Sequence, residues 1–225
     1  MVRRLPSWVW AGGWILAFVA GIINVVGFLG FAHQGITHLT GTTTLLGAAV
    51  TRGNYLAAAN LAALIAAFVL GAAVSGWIIG DSTLQLGKRY GVTLLLEAAL
   101  LCAAVPLLAQ HRLSGEWLTA AACGLQNAMA TTYSGATIRS THVSGMFTDL
   151  GIYIGQALHR TPFVPQRLQM SLVVITGFLA GGLAGTFFFD KLGYNALYIP
   201  AAITGTAGLA YGVYRMLRDP GAGPS

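Results

Sequence analysis

The chain has 225 residues, of which 56% are hydrophobic and only 8% charged, and its mean hydropathy is +0.70. A water-soluble domain carries about 25% charged residues to keep its surface wet, so composition alone excludes a soluble enzyme, a disordered chain and a nucleic-acid-binding domain. The formal net charge of +6 is therefore read as membrane topology, because basic residues that flank spans stay preferentially on the cytoplasmic side.

In chain order, charges, glycines and prolines bound six apolar segments long enough to cross a ~30 Å hydrocarbon core at about 1.5 Å per residue. They are Trp8–Phe31, Asn54–Ile79, Tyr90–Ala109, Glu116–Ala136, Leu168–Phe189 and Tyr194–Leu217. The first follows Arg3 and Arg4 and resembles a signal peptide only superficially. It is too long and lacks a cleavage site, so it is expected to stay as the first span. Cys102 and Cys123 both fall inside apolar segments and are read as small buried residues rather than a disulfide.

Two shorter apolar stretches do not fit as spans. His38–Val50 follows the polar segment Ala32–Thr37, and His142–Leu158 follows Ser134–Thr141. Their lengths suit half helices that enter the membrane and return. Irregular backbone at that depth needs protein or a wet cavity around it.

These stretches are copies of one another. Thr37-His-Leu-Thr-Gly-Thr-Thr-Thr-Leu-Leu-Gly47 aligns without gaps with Thr141-His-Val-Ser-Gly-Met-Phe-Thr-Asp-Leu-Gly151, and Gly21-Ile-Ile-Asn24 aligns with Gly124-Leu-Gln-Asn127. The expected organisation is an all-α polytopic membrane protein with six transmembrane helices plus two re-entrant half helices. It divides into repeats 1–112 (half helix 38–50) and 113–225 (half helix 142–158). An odd number of full spans per repeat makes the two repeats inverted. With the N-terminus inside, this arrangement leaves Arg52, Arg112 and Lys191 as the basic residues outside. Full crossing by both half helices instead puts Lys88, Arg89, Arg139 and Lys191 outside, a weaker inside bias.

The same runs, Gly21-Ile-Ile-Asn-Val-Val-Gly-Phe-Leu29 with Thr37–Gly47, and Gly124-Leu-Gln-Asn-Ala128 with Thr141–Gly151, resemble the YoaK family, small bacterial membrane proteins named for a domain of unknown function. The resemblance covers nearly the whole chain and implies a multi-span protein of the bacterial inner (cytoplasmic) membrane; it implies no activity. Many members carry Asp where this chain has Asn24, so a mechanism needing a titrating carboxylate at that position does not carry over.

The residues that could do chemistry gather at the half helices. A helix N-terminus leaves about four N–H groups unpaired and carries roughly half a positive charge. Thr40 and Ser144 sit where N-caps would, Gly41 and Gly145 permit close approach, and His38 and His142 could hydrogen-bond a solute. Thr44 and Thr148 follow one turn on; hydroxyls there could line a path or simply bond back to their own turn. Under inverted symmetry the two N-termini are expected to converge near the midplane, as in broken-helix transporters. Asn24 and Asn127, with Gln126, place amides at matching points in the spans, where they could bind solute or bridge helices. Glu97 in the third span and Asp149 in the second half helix are acids at membrane depth, which mark either a pathway or an inter-helix lock.

The functional expectation is a secondary transporter or permease for a small polar or anionic solute, bound between the half-helix N-termini, with Glu97 or Asp149 coupling protons. The alternatives are a passive pore and a non-transport partner subunit. No enzyme activity, metal constellation or cofactor motif is expected: the five His are scattered, the Cys pair is not CxxC, and no phosphate loop is present. Expected partners are the lipid bilayer, the solute and a second copy of the chain packed through GxxxG faces at Gly76/Gly80, Gly151/Gly155, Gly177/Gly181/Gly185 or Gly208/Gly212. Both termini are expected in the cytoplasm.

Overall fold

The computed structural model describes residues 7–30, 38–80, 88–133, 140–161 and 165–218. Arg139 and most of the two polar breaks, residues 32–37 and 134–139, lie outside these. The described residues form helices α1 (Ser7–Gly30), α2 (Leu39–Thr51), α3 (Tyr55–Ile79), α4 (Lys88–Ala109), α5 (Leu113–Tyr133), α6 (Val143–Leu158), α7 (Pro165–Leu192) and α8 (Tyr198–Arg218), with a 3₁₀ turn over Gly193–Leu197. The helix ends obey local chemistry. Asn54 caps α3 by accepting from the Ala57 N–H at 3.2 Å, and Gly80 closes it at φ +62°, a conformation open to glycine.

Four stretches of the described residues are long and apolar enough to cross a membrane: Val9–Gly30, Tyr55–Ile79, Arg89–Ala109 and Leu168–Tyr214, the last running through α7, the 3₁₀ turn and α8. The predicted span Glu116–Ala136 is not among them. It forms α5, which carries Glu116, Gln126 and Asn127 and is packed against α3, α4 and α1. Ala120, Ala122, Cys123, Leu125 and Gln126 are all buried there. A helix wrapped by protein does not need an apolar face toward lipid, so its hydropathy understates its place in the bundle.

Two apolar clusters define the two ends. The near end joins Val9 of α1, Ile79 of α3, Tyr90 of α4, Met129 of α5, Met146 of α6, and Met170 and Val174 of α7. The far end joins Val26 of α1, Leu64 of α3, Val105 and Leu108 of α4, Ala120 and Cys123 of α5, and Ala196, Leu197 and Ala201 around the start of α8. Tyr194 ties that end together by donating its hydroxyl to the Gly30 carbonyl at 2.6 Å. Helix directions follow. α1, α4 and α7 run from the near end to the far end; α3, α5 and α8 run back. α2 ends beside the far-end start of α3, and α6 ends beside the near-end start of α7.

Glycines set the closest crossings. A Cβ on Gly21 would meet the Phe178 carbonyl of α7, and one on Gly181 would meet the Phe18 carbonyl of α1. The same reciprocity joins α5 to α3: Gly124 faces the Phe68 carbonyl and Gly71 the Ala121 carbonyl. Gly21 and Gly124 are the residues aligned between the sequence repeats. Exchanging α1 with α5, α2 with α6, α3 with α7 and α4 with α8 thus maps the α1–α7 contact onto α5–α3. It also maps α2–α3 onto α6–α7, and α4–α8 onto itself. Two pairs break the pattern: α4 lies along α5 whereas α8 and α1 barely touch, and α3 meets α4 whereas α7 and α8 are joined only through the 3₁₀ turn.

Of the GxxxG faces, Gly177, Gly181 and Gly185 are used within the chain against α1, and Gly208 packs on Gly91. Gly76, Gly151 and Gly155 face open space. Both cysteines are free, Cys123 buried and Cys102 exposed.

Candidate functional site

The gap between α1 and α8 is a cavity of about 240 Å³ at the near end of the bundle. Gly12, Gly13 and Leu16 of α1, Tyr90 and Leu94 of α4, Met129 and Ala130 of α5, and Ile203, Thr204 and Tyr211 of α8 line it. The walls are almost entirely apolar, and neither a lysine nor an arginine is among the described lining residues.

The polar groups stand just past its floor, toward the packed end. Glu97 follows Tyr90 by seven residues, which returns it to the same face of α4 one turn beyond Leu94. It is fully buried, and neither carboxyl oxygen has a hydrogen-bond partner within the protein. Gln126 lies one turn from Met129 and Ala130 on the cavity face of α5 and is also fully buried. Its Nε2 donates to the Leu16 carbonyl of α1 at 3.3 Å, which leaves Oε1 unpartnered. Cys123, one turn further along α5, is within electrostatic reach of Glu97. An unpaired buried polar group costs about 1–3 kcal/mol, and an unpaired ionised carboxylate costs more. Lying one turn past the cavity lining, the Glu97 oxygens and Gln126 Oε1 are acceptors without a donor.

The half helices have a different environment. Among the described residues α2 rests mainly on α3 and α6 on α7, and no contact joins α2 to α6. The expected convergence of their N-termini is absent among the described residues, because each half helix packs on the span that follows it. The caps also differ from expectation. His38 and His142, not Thr40 and Ser144, occupy the N-cap positions, and neither imidazole makes a capping hydrogen bond. Each ring instead lies over the glycine three residues on: a Cβ on Gly41 would meet the His38 Nδ1 at 3.1 Å, and one on Gly145 the His142 Cδ2 at 2.5 Å. That overlap is the physical content of the repeated His-x-x-Gly spacing. Gly145→Ala is expected to displace its histidine and fray the first turn of α6, more than Gly41→Ala frays α2. Hydrogen exchange over 143–147 and 39–43 measures both, with several-fold faster exchange expected in the former.

His38, Thr40, His142 and Ser144 are exposed, as are Thr44 and Thr148, and Asp149 is half-buried. Thr44 donates to the Thr40 carbonyl at 3.0 Å and Thr148 to the Ser144 carbonyl at 3.1 Å. These hydroxyls therefore bond back to their own turn. Asn24 is half-buried and engaged within the protein, whereas the Oδ1 of Asn127 is buried with no hydrogen-bond partner.

Sequence reading singled out Glu97 and noticed Gln126, but it missed the cavity beneath them. Tyr90, Met129 and Tyr211 sit on three different helices, and only the packing brings them together. The signal that was available is Gly12-Gly13, a pair of small residues in the near half of a span.

A family model described as a protein of unknown function (DUF1275) matches residues 12–210. No curated protein and no solved structure matches the chain.

Proposed function

The chain belongs to that uncharacterised family, DUF1275, and we propose that it is a secondary transporter for a small solute, proton-linked through Glu97, with the cavity between α1, α4, α5 and α8 as its solute path. The observation that carries this reading is the larger of the two breaks in symmetry. Interchange of the halves turns the closed α4–α5 contact into the parted α8–α1 contact. In a pair of inverted repeats, the two arrangements are the two faces of one rocking motion. Closing α1 on α8 while parting α4 from α5 would move the opening from the near end to the far end. Glu97 and Gln126, between the cavity and the far-end cluster, stand where both states could reach them.

The membrane topology belongs to the same proposal: six full spans, with α2 and α6 re-entrant. Helix directions support it, since α1 ends and α3 begins at the far end, while α5 ends and α7 begins at the near end. At about 1.5 Å per residue, α2 with 13 residues and α6 with 16 are both short for a ~30 Å core. The charges agree. Lys88, Arg89, Arg160, Arg167, Arg215 and Arg218 lie toward the near end, and Arg52, Arg112 and Lys191 toward the far end, so the near end is the cytoplasmic one. Impermeant thiol labelling tests this in a Cys102→Ala, Cys123→Ala background: Arg112→Cys and Arg160→Cys are expected to label from opposite sides of the membrane. Full crossing by both half helices predicts the same side for the two, and that result would refute the inverted arrangement.

His38, Thr40, Gly41 and Thr44, with His142, Ser144, Gly145 and Thr148, are assigned to the two ends of the path rather than to a shared pocket. Asn24 and Asn127 are assigned to its walls, and Asp149 to a secondary proton site. For the anionic solute expected from the half-helix termini, the described lining of the cavity supplies no basic partner. Purified protein in proteoliposomes, screened for solute uptake driven by a pH gradient, is the direct test. Flux that ignores the gradient and does not saturate would replace the transporter with a passive pore.

A further inference from the structure

The geometry points to a substrate class: we infer that the cavity takes a small lipophilic cation, an organic ammonium with an aromatic or alkyl body, held by Glu97 as its counter-charge. This rests on the transport reading above only for the purpose of the site; the binding chemistry stands on its own observations.

Three of them converge. First, the cavity is apolar and of definite size: a dry cavity of about 150 Å³ holds benzene, so about 240 Å³ admits one ring carrying a compact ammonium group. Second, Tyr90 and Tyr211 stand on the neighbouring helices α4 and α8 at its wall, and aromatic faces attract desolvated cations. Third, one turn past the lining residues Leu94 and Met129, an acid on α4 and an amide on α5 are fully buried. Both Glu97 oxygens and Gln126 Oε1 lack a hydrogen-bond partner. All three are acceptors. An anion would meet the like charge of an ionised Glu97 and, among the described residues, no basic side chain. A neutral apolar molecule would fill the walls but leave the acceptors unanswered. A cation answers both, because its charge is neutralised in a region of low dielectric and its body replaces water against Leu94 and Met129.

The probe is benzylammonium, whose N–H groups can donate, with ethylbenzene as the uncharged isostere of the same shape and benzoate as the anion. Binding to the full-length protein in detergent micelles is read by thermal shift and by titration calorimetry. The cation is expected to bind at least tenfold more tightly than either comparator. Glu97→Gln is expected to abolish that preference while leaving weak binding of both shapes. Gly12→Leu is expected to remove binding altogether. A Cβ at Gly12 meets nothing within 4 Å, so the larger side chain extends into the cavity without disturbing the helix crossings. Equal binding of cation and isostere, tighter binding of benzoate, or undiminished cation binding by Glu97→Gln overturns the inference. Should Glu97→Gln not fold, the wild-type comparison of cation with isostere still decides it. The two proposals fail separately. Cation binding without uptake in proteoliposomes keeps the site and removes the transporter; proton-driven uptake of a different solute keeps the transporter and removes this substrate class.

Discussion

Replacing Gly124 with valine is expected to unfold or open the bundle, and Gly71→Val to do the same, each costing about 3 kcal/mol or more. For a chain of this length that corresponds to a fall in Tm of roughly 10 °C. The cause is backbone meeting backbone. A Cβ at Gly124 falls on the Phe68 carbonyl, and one at Gly71 on the Ala121 carbonyl, with no flexible side chain to give way. Helices in lipid gain nothing from hydrophobic burial against one another, so close approach and dispersion hold them together. Pushing α3 and α5 apart forfeits that contact along the whole crossing. Gly21→Val and Gly181→Val on the α1–α7 crossing are expected to match them, because the two crossings are equivalents under exchange of the halves. The contrast lies in glycines of the same helices that touch nothing. Gly76→Ala in α3 is expected to stay within about 1 kcal/mol of wild type or to gain slightly, since alanine is the better helix former. Size-exclusion chromatography with thermal unfolding in detergent measures the series. Tolerance of valine at Gly124 would mean that α3 and α5 do not cross as described.

The same glycines show how much of the molecule can be read from the sequence. The bounds of the two short helices α2 and α6 were legible almost to the residue. His38–Val50 and His142–Leu158 became Leu39–Thr51 and Val143–Leu158, because each is bounded by a polar break and carries a repeated motif. The duplication was also legible at Gly21 and Gly124, although their purpose as paired crossing points needed coordinates. α5 shows a limit of hydropathy. Gln126 and Asn127 made it less apolar than the other spans because it faces protein. The caps show another: Thr40 has the right chemistry for an N-cap, but the chain turns helical earlier and His38 takes the position. The cavity was the least legible feature. Gly12, Leu94, Met129 and Tyr211 are far apart in sequence and share no motif, and a void between four helices leaves no periodic signal of its own.

Glu97 is where stability and transport are expected to part. Its carboxyl group is fully buried with no hydrogen-bond partner, a condition that costs the folded state about 1–3 kcal/mol. Around it pack Leu101 of α4 and Cys123 of α5, both buried, so an apolar side chain of similar volume suits the position. Glu97→Leu is therefore expected to raise Tm by several degrees, at roughly 2–4 °C per kcal/mol for a chain of this size. The same substitution is expected to cut proton-driven uptake by roughly 100-fold, the lower end of what a positioned proton-transfer group contributes. Glu97→Gln keeps the shape and the acceptor but cannot exchange a proton. It is expected to fold as the wild type does while losing accumulation against a gradient. That division separates a coupling group from a structural one: a carboxylate that merely locked α4 to α5 would lower Tm when removed and would leave coupling intact. Stabilisation with lost flux is the usual mark of a group held in an unfavourable place for function. Loss of stability with unaltered coupling would return Glu97 to the role of a lock and leave the cavity without its proton site.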